Sequence, residues 1–326
     1  MLVLSAADVR QAAPMPAAID AVAAAFVQLS TGQAVVPLRV PIGQPKHDSH
    51  TFFMPALLAE SNALGLKVVS VFPHNQARHY LPSIHALVVL IDAATGQPLA
   101  AMDGTYLTAL RTGAASGAAT RALARADARV LAIFGAGAQA PAQVQAVCAA
   151  RPIERVWIVN RSRVRAEALL DTLRALGIPS ELKIADSSRA ALAEAEVVCC
   201  ATSAPTPLFD DAEVRPGTHI NGVGSFTPAL AEVPPATIAR ALVAVDQRAA
   251  AWAEAGDLIQ ARQAGAIDDA GVVELGEIIA RRAPGRADDA QITFFKSVGN
   301  AVQDVAVGQM VLAEARRLGL GTEVAL

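Results

Sequence analysis

The sequence predicts an α/β protein in which a doubly wound parallel sheet follows an α+β domain. A length of 326 residues is enough for two domains. Hydrophobic residues make up 53% of the chain and charged residues 17%, so two hydrophobic cores can form. The pattern also changes along the chain. Short β-rich runs give way to a regular alternation of strand and helix from residue 129 to about residue 290.

The first part begins with a predicted helix over residues 5–31. Ser5 is a suitable N-cap, and apolar side chains recur at helical spacing as far as Phe26. Short β-rich runs follow, separated by turn-forming segments. The runs predicted as strands cover residues 35–42, 50–58, 64–72 and 83–92. They indicate an antiparallel α+β domain, and a helix rich in small residues at 105–124 leads out of it.

The second part alternates six predicted strands with helices. The strands cover residues 129–135, 155–161, 180–186, 196–202, 218–224 and 241–246. This alternation is typical of a parallel doubly wound sheet, because neighbouring parallel strands need a crossover helix between them. A short strand and a long helix follow within residues 292–319.

Charge and cysteine content argue against several classes of protein. The formal net charge is -3 without a long basic run, so we expect no nucleic-acid binding. No apolar run reaches the ~18 residues of a transmembrane helix, and the N-terminal segment lacks the pattern of a signal peptide. Cys199 and Cys200 are adjacent in an apolar strand, where we expect both to be buried. We therefore expect a cytoplasmic protein without a membrane partner. Its loop histidines lack the spacing of ligands, which predicts no metal site.

A glycine-rich loop follows the first strand of the second part. The segment RVLAIFGAGAQA reads as strand, G-x-G-x-x-A loop and helix start. Gly135 permits the tight turn, Gly137 lets the backbone approach a pyrophosphate, and Ala140 keeps helix and strand close. The helix N-terminus adds unpaired N–H groups. The pattern therefore predicts dinucleotide binding, the alternative being a tight turn without a ligand.

The end of the next strand bears on the choice of nucleotide. A carboxylate there would accept hydrogen bonds from the ribose 2′-hydroxyl and repel a 2′-phosphate. Asn160, Arg161 and Ser162 occupy this place instead. Because a guanidinium suits a phosphate, we predict that NADP(H) is preferred and that NAD(H) is also possible.

Three basic residues each lie within an otherwise apolar run. They are Arg39, Lys67 and Arg111. A charge in such a run commonly lies at an exposed edge or pairs with a carboxylate, and this alternative stays open for each. None has a local acidic partner, so we interpret the three together as an anion site. Two arginines can hold a carboxylate by parallel hydrogen bonds, and a partly buried lysine can shift its pKa toward neutrality.

Seven segments, in this order and spacing, carry a family resemblance: GLKVVSVFP, ALRTGAASG, FGAGAQA, VNRS, GVGSFTP, AEAGDL and FFKSVGNAVQD. Together they resemble the ornithine cyclodeaminase/μ-crystallin family over nearly the whole chain. The resemblance implies that Lys67 is catalytic and binds an amino or imino acid together with Arg39 and Arg111. It also implies that the nicotinamide nucleotide is approached by Arg111, Thr112, Ala138, Gln139, Thr202, Val223, Gly224 and Ser297.

The resemblance further implies how the chain is divided. A substrate-binding and dimerisation domain of α+β type would comprise residues 1–120 plus 292–326. A dinucleotide-binding Rossmann domain would comprise residues 121–291. The first domain would form a homodimer.

One segment departs from the cyclodeaminases of this family. Their G-G-D-x-P-G-K-x-E segment has an aspartate that activates the substrate amine or a water molecule. Here the segment is GSFTPALAE, in which Phe226 takes the aspartate's position and Leu230 the lysine's. A phenyl ring cannot accept a proton, and the segment looks more like the reductase branch of the family.

We therefore expect NAD(P)H-dependent reduction of a small cyclic imino acid, such as Δ1-pyrroline-2-carboxylate. Arg39 and Arg111 would clamp its carboxylate, while Lys67 orients the imine or relays its proton. Three alternatives stay open: ornithine cyclodeamination to proline and ammonia, alanine dehydrogenase-like amination of a keto acid, and nucleotide-dependent binding without turnover. The sequence does not decide whether Glu254 or Lys296 takes part.

Overall fold

The computed structural model describes residues 1–325. In chain order, its strands and helices up to the end of the helix rich in small residues are β1 (Leu2–Leu4), α1 (Ala6–Ala12), α2 (Met15–Ser30), β2 (Ala34–Val35), β3 (Val40–Gln44), β4 (Ser49–Leu58), β5 (Ala63–Val71), α3 (Asn75–His79), β6 (Ile84–Asp92), β7 (Pro98–Asp103) and α4 (Gly104–Leu123). The elements that follow are β8 (Val130–Phe134), α5 (Ala140–Ala150), β9 (Arg155–Val159), α6 (Arg163–Ala175), β10 (Glu181–Ile184), α7 (Ser188–Leu192), β11 (Val197–Cys200), β12 (His219–Gly222), α8 (Pro235–Ala239), β13 (Ala241–Val245), α9 (Arg248–Glu254), α10 (Gly256–Gln263), β14 (Val272–Glu274), α11 (Leu275–Ile279), β15 (Ile292–Lys296), α12 (Ala301–Leu318) and β16 (Thr322–Glu323).

The chain divides into two compact units. One contains Met1–Arg111 and the segment that starts at Asn300, and the other is Thr112–Gly299. These boundaries differ from the expected division after residues 120 and 291. Strand β15 pairs in parallel with β12 and β13, so it belongs to the parallel sheet of the second unit. The other boundary falls inside α4, where a continuous helix gives no sequence signal.

The first unit is built on a mainly antiparallel sheet. Its strand order is β16-β1-β7-β6-β5-β4-β2, with β3 also paired to β4. Among the described strands of this sheet, only β1 and β7 pair in parallel. Helices α2 and α12 pack together, and α12 lies along β4, β5 and β6. The expected antiparallel α+β arrangement is confirmed, with β1, β7 and β16 as additions.

The helix predicted over residues 5–31 is interrupted. It forms α1 and α2, whose axes differ by 85°. Pro14 explains the break, because proline has no N–H to donate and pushes the preceding residue out of the helical region. Ala13 accordingly has φ -126° and ψ 70°. Within residues 1–325 no single helix is long and apolar enough to cross a membrane, and only α1 and α2 counted as one bent pair reach that length and composition.

The second unit is built on a parallel sheet of order β10-β9-β8-β11-β12-β15-β13-β14. The six expected strands are confirmed, and β14 and β15 extend the sheet beyond β12. Both faces are buried, since Ala132 and Ile133 lie in different core clusters, as do Cys200 and Cys199. The chain winds outward in one direction from β8 through β9 and in the other through β11. In such sheets ligands bind beyond the carboxyl ends of the strands at this reversal point.

Candidate active site

The glycine loop lies at the carboxyl end of β8. Gly135 has a φ of 100°, in the region that glycine alone adopts freely, and a Cβ there would collide with the Ala201 carbonyl. A Cβ on Gly137 would meet no atom within 4 Å, so the loop borders open space at this residue. Ala140 is fully buried at the first turn of α5. The loop therefore has the tight turn, the free space and the close helix packing that dinucleotide binding requires.

This open space is a cavity of about 470 Å³. Its lining includes five of the residues that the sequence predicted to bind the nucleotide: Gly135, Gly137, Asn160, Arg161 and Thr202. Arg165, which the sequence reasoning missed, lines it as well. None of the described residues around this cavity is an aspartate or a glutamate. The cavity thus has two exposed guanidinium groups in its lining, a chemistry suited to phosphates.

Asn160 and Ser162 hold this edge of the cavity in shape. The Asn160 Oδ1 accepts a hydrogen bond from the Ala136 N–H at 3.2 Å, which ties the glycine loop to the end of β9. Its Nδ2 donates to the Ser162 carbonyl at 2.9 Å. Ser162 is also the N-cap of α6. Both side chains are therefore engaged with the protein, while the exposed Arg161 points its charge to the cavity edge.

Of the remaining expected nucleotide residues, four lie next to the ends of helices or strands, whereas Thr112 lies within α4. Ala138 and Gln139 immediately precede α5, and Thr112 is buried in α4. Val223 and Gly224 follow β12, with the Val223 N–H donating to the Cys200 carbonyl at 2.9 Å.

Ser297 belongs to a turn that is organised by a carboxylate. The buried Asp246 Oδ2 accepts hydrogen bonds from Ser297 Oγ at 2.9 Å, Val298 N–H at 3.0 Å and Gly299 N–H at 2.8 Å. Burial raises the pKa of Asp246, and the hydrogen bonds it accepts oppose that shift. The sequence reasoning missed Asp246, although a carboxylate that ends an apolar strand was a visible signal.

Glu232 holds two nucleotide-facing turns together. Its Oε1 accepts hydrogen bonds from the Thr202 N–H at 2.6 Å and the Thr202 hydroxyl at 2.8 Å. Its Oε2 accepts from the Gly224 N–H at 2.7 Å and the Ser225 N–H at 3.1 Å. The segments after β11 and β12 thus share one fully buried carboxylate. Burial raises the pKa of Glu232, and the Lys296 ammonium opposes this.

Lys296 belongs to the same buried network. Its Nζ donates to Ser225 Oγ at 2.6 Å and lies 3.3 Å from Asp257 Oδ2. Asp257 accepts from the Ser225 hydroxyl and from the Glu232 and Val233 N–H groups. The polar side chains of this network, Ser225, Glu232, Asp257 and Lys296, are all buried. The Lys296 ammonium therefore makes its contacts inside the protein. Glu254, also left undecided by the sequence, is half-buried at the end of α9.

The first unit places Lys67 and Arg111 on one carboxylate. Lys67 Nζ lies 2.8 Å from Asp304 Oδ2, and Arg111 Nε donates to Asp304 Oδ1 at 3.0 Å. Arg111 also donates to Gln303 Oε1 at 2.5 Å. Asp304 is therefore a remote acidic partner, 193 residues from Arg111 in the chain, which could not be identified from the sequence.

Arg39 completes this cationic cluster, which we define as Arg39, Lys67 and Arg111 with Asp304. Arg39 is half-buried directly before β3, with its guanidinium carbon 5.5 Å from the centre of the Phe52 ring. Burial and the Arg111 guanidinium lower the pKa of Lys67 to about 8, while Asp304 opposes the shift. Lys67 and Arg111 both contact Asp304, and the Arg39 guanidinium acts electrostatically on Lys67, so three basic side chains are grouped where an organic anion could bind.

The structure also shows the two residues of the GSFTPALAE segment that differ from the cyclodeaminases, Phe226 and Leu230. Phe226 is 48% exposed, and Leu230 is half-buried in the same segment. Neither side chain can transfer a proton, so this segment offers no general base at those positions. Within residues 1–325 no group of three or more His, Cys, Asp or Glu side chains is arranged to hold a metal ion.

The chain is similar in sequence and in fold to known reductases and dehydrogenases. A Δ1-pyrroline-2-carboxylate reductase of Bacillus cereus is 37% identical over 99% of both chains. The structure of the Δ1-pyrroline-2-carboxylate reductase of Thermococcus litoralis with NADH and L-proline is 38% identical, with a TM-score of 0.94 over 99% of this chain and 100% of that one. An archaeal alanine dehydrogenase dimer with bound NAD is 31% identical, with a TM-score of 0.91 over 100% of this chain and 99% of that one.

The family profile matches almost all of the sequence. It describes the ornithine cyclodeaminase/mu-crystallin family and aligns with residues 1–318. The resemblance inferred from the seven sequence segments is thereby confirmed. The chain belongs to the ornithine cyclodeaminase/mu-crystallin family.

Proposed function

We propose that the protein is an NAD(P)H-dependent reductase of small cyclic imino acids of the Δ1-pyrroline-2-carboxylate type. The observation that carries this proposal is the cationic cluster, in which a buried lysine with a pKa of about 8 adjoins two arginines. The names of the similar enzymes from Bacillus and Thermococcus support the same reaction.

The proposed roles follow from the chemistry of each side chain. Arg39 and Arg111 hold the substrate carboxylate by charge-assisted hydrogen bonds. The Lys67 ammonium donates a proton to the imine nitrogen, which makes the adjacent carbon a better hydride acceptor. Asp304 keeps Lys67 oriented by its 2.8 Å ion pair. A reduced nicotinamide cofactor, when bound, would supply the hydride.

We further propose that the cavity beside the glycine loop binds the dinucleotide, with NADPH preferred over NADH. Gly135, Gly137 and the start of α5 suit a pyrophosphate. Arg161 and Arg165 suit a 2′-phosphate, and no carboxylate among the described lining residues opposes it. The Thermococcus relative holds NADH, so the preference needs a direct comparison of both cofactors.

Of the three other functions that the sequence leaves open, single observations favour or disfavour two. Ornithine cyclodeamination is disfavoured because Phe226 takes the place of the catalytic aspartate. Alanine dehydrogenase activity is the second candidate, because the archaeal relative bears that name and the cluster suits any α-imino carboxylate. Binding without turnover remains the non-catalytic alternative.

An assay panel tests the proposal. Cyclic imino acids, pyruvate with ammonia, and ornithine are each supplied to the purified protein with NADPH, NADH or NAD⁺. Loss of absorbance at the nicotinamide band with a cyclic imino acid is the expected result. Oxidation of NADPH or NADH that requires only pyruvate and ammonia would establish alanine dehydrogenase activity. Formation of proline from ornithine would establish cyclodeaminase activity. Tight NADPH binding without any turnover would contradict an enzymatic role.

We also propose a homodimer formed through the first unit, and a cytoplasmic location. The sheet face opposite α12 carries apolar side chains from three neighbouring strands, of which Leu87 is exposed and the others are half-buried: Leu57, Leu64, Leu66, Leu87, Val89 and Ile91. A continuous apolar surface on a sheet is typical of a subunit interface. The archaeal relative is described as a dimer, which supports a second copy of this chain as the occupant. The free Cys148, Cys199 and Cys200 suit a reducing compartment.

A further inference from the structure

We propose that an apolar floor made of Phe52, Val69 and Ala86 selects imino acids with an apolar ring over those with a second charged group. This inference rests on the proposed function and specifies its substrate class. Three lines of observation carry it: strand register, the distribution of charge, and the rigidity of the floor.

The strand register places the floor beside Lys67. Side chains two residues apart on β5 face the same side of the sheet, so Val69 points to the same face as Lys67. Val69 is paired with Phe52 on β4 and with Ala86 on β6. The floor is therefore one complete row across three strands, directly next to the row that contains Lys67.

Helix α12 covers the sheet as far as Lys67 but leaves the floor accessible. Asp304 of this helix pairs with Lys67, and a Cβ on Gly65 would lie 3.1 Å from Val305. The helix runs from there over the rows on the other side of Lys67. Lys67 is accordingly 1% exposed, whereas all three floor residues are half-buried. A ligand that meets Lys67 thus has the floor beside it.

Two side chains that carry or can carry positive charge border the floor at Phe52: Arg39, and His50, whose ring stacks with the Phe52 ring at 6.1 Å between centroids. Arg39 lies over the ring of Phe52 at 5.5 Å, and its positive charge contributes to the lowered pKa of Lys67. The cationic cluster therefore adjoins the floor, while the floor itself has no polar side-chain atom. A substrate carboxylate held by the cluster would place the rest of a small molecule against phenyl, isopropyl and methyl groups.

The floor is also rigid where β6 meets α4. The Ala86 N–H donates to Thr105 Oγ1 at 3.1 Å, and a Cβ on Gly104 would lie 2.9 Å from the Ala86 methyl group. The hydrogen bond holds β6 to the start of α4, and the close approach of the two backbones leaves no room for them to move nearer. A methylene ring gains apolar contact on such a surface. A second carboxylate placed over Val69 and Ala86 loses water, and neither side chain can donate a hydrogen bond to it, which we expect to weaken binding ~100-fold or more.

The test compares substrates of different side-chain chemistry. For the native protein with NADPH, we expect kcat/KM for Δ1-pyrroline-2-carboxylate to exceed that for iminosuccinate, formed in the cuvette from oxaloacetate and ammonia, by ~100-fold or more. Val69→Thr keeps the shape of the side chain but adds a hydroxyl group. This variant should lower kcat/KM for the cyclic substrate ~5- to 10-fold, mainly by raising KM. The ratio of kcat/KM for Δ1-pyrroline-2-carboxylate to that for iminosuccinate should therefore decrease. Ala86→Ser provides a second, smaller change of the same kind.

Val68→Thr is the matched control. Val68 is the neighbouring residue on β5, is half-buried and faces the opposite side of the sheet, so its substitution should leave the ratio within a factor of ~2. A native preference for iminosuccinate would overturn the proposal, as would equal ratios in Val69→Thr and Val68→Thr.

Calorimetry separates this proposal from the proposed function. L-proline and L-aspartate are titrated into the protein with NADP⁺ bound. If no imino acid is reduced, the proposed function fails. The floor is then still supported by tighter binding of proline that Val69→Thr weakens, and refuted by tighter binding of aspartate.

Discussion

The side-chain amine of Lys67 is buried between a carboxylate and a guanidinium, and its protonation sets the pH range of the proposed reaction. Burial and Arg111 lower its pKa from an ordinary 10.5 to about 8. The ammonium form, which donates the proton, predominates below that pH and is lost above it. We therefore expect kcat/KM to fall as pH rises through about 8.

Lys67→Arg separates this titration from that of the substrate. Arginine retains a positive charge but does not deprotonate in the accessible pH range. We expect kcat to fall ~100-fold or more and the alkaline decline to disappear, while the Kd of NADPH is unchanged. An unchanged alkaline decline in the variant would assign the titration to the imine and not to Lys67. Initial rates across pH, together with fluorescence titration of NADPH, provide both measurements.

Arg161 is the residue on which the cofactor preference depends most directly. Replacing it by alanine removes one of the two guanidinium groups that line the cavity. We expect the Kd of NADPH to rise ~10- to 100-fold, because a charge-assisted hydrogen bond to the 2′-phosphate is lost. The Kd of NADH should change by less than a factor of ~3, because NADH lacks that phosphate.

Arg163→Ala provides the control for this experiment. Arg163 is exposed at the start of α6 and pairs with Glu167 at 3.0 Å, but it does not line the cavity. Its substitution removes the same charge from the same region and should leave both dissociation constants unchanged. Equal losses for NADPH and NADH in Arg161→Ala would contradict a 2′-phosphate role.

At the scale of whole elements, Glu232 connects the ends of β11 and β12 by accepting four hydrogen bonds. Glu232→Gln preserves the shape but turns one acceptor oxygen into a donor, which leaves two buried hydrogen-bond donors without an acceptor. We expect a lower Tm and a ~10-fold or larger increase in the Kd of NADPH, since Thr202 lines the cavity.

Glu196→Gln distinguishes positioning from stability alone. Glu196 also accepts two backbone hydrogen bonds, from Arg129 at 2.6 Å and Val130 at 3.2 Å, but at the amino end of β8, away from the cavity. This variant should lower the Tm without weakening NADPH binding. If both variants weaken NADPH binding to the same degree, Glu232 contributes only to folding.

The elements and residues that the sequence predicted correctly are those whose signals are local. The glycine loop combines a turn, a strand and a helix start within a dozen or so residues, so its chemistry is visible in one segment. Asp304 gave no such signal, because its partners Lys67 and Arg111 come from distant segments. Glu232 lies in the GSFTPALAE segment near two of its donors, Gly224 and Ser225, but its contact with Thr202 could not be read from the sequence. The break between α1 and α2 was present in the sequence as Pro14, but the continuous apolar spacing obscured it.

At the scale of the whole molecule, contacts between distant segments also explain why the division of the chain into two units was not predicted correctly from the sequence. The segment around β15 reads as a short strand before a long helix, which is why it was expected with the first domain. Only strand pairing assigns it to the parallel sheet, between β12 and β13. The helix that follows then returns to the first unit, where it supplies Asp304 to the cationic cluster. The site residues of the first unit therefore come from both ends of the chain.

The proposed homodimer is tested at the centre of the apolar sheet face. Leu66 lies on β5 between Pro55 of β4 and Val89 of β6, on the side opposite α12. Leu66→Glu would place a charge in an interface without a partner, and we expect the dimer dissociation constant to rise ~1000-fold or more. Sedimentation velocity should then show the native protein at twice the monomer mass and the variant at the monomer mass.

Val164→Glu is the matched control, because Val164 is 74% exposed on α6 of the other unit. It adds the same charge to an exposed apolar position and should leave the dimer intact. A native protein that sediments as a monomer would contradict the proposed interface, as would a Leu66→Glu variant that remains dimeric. Because the floor and Lys67 lie on the opposite face of the same three strands, loss of the dimer should lower activity only to the extent that the sheet itself is destabilised. The Tm of the variant, measured beside its kcat/KM, gives that comparison.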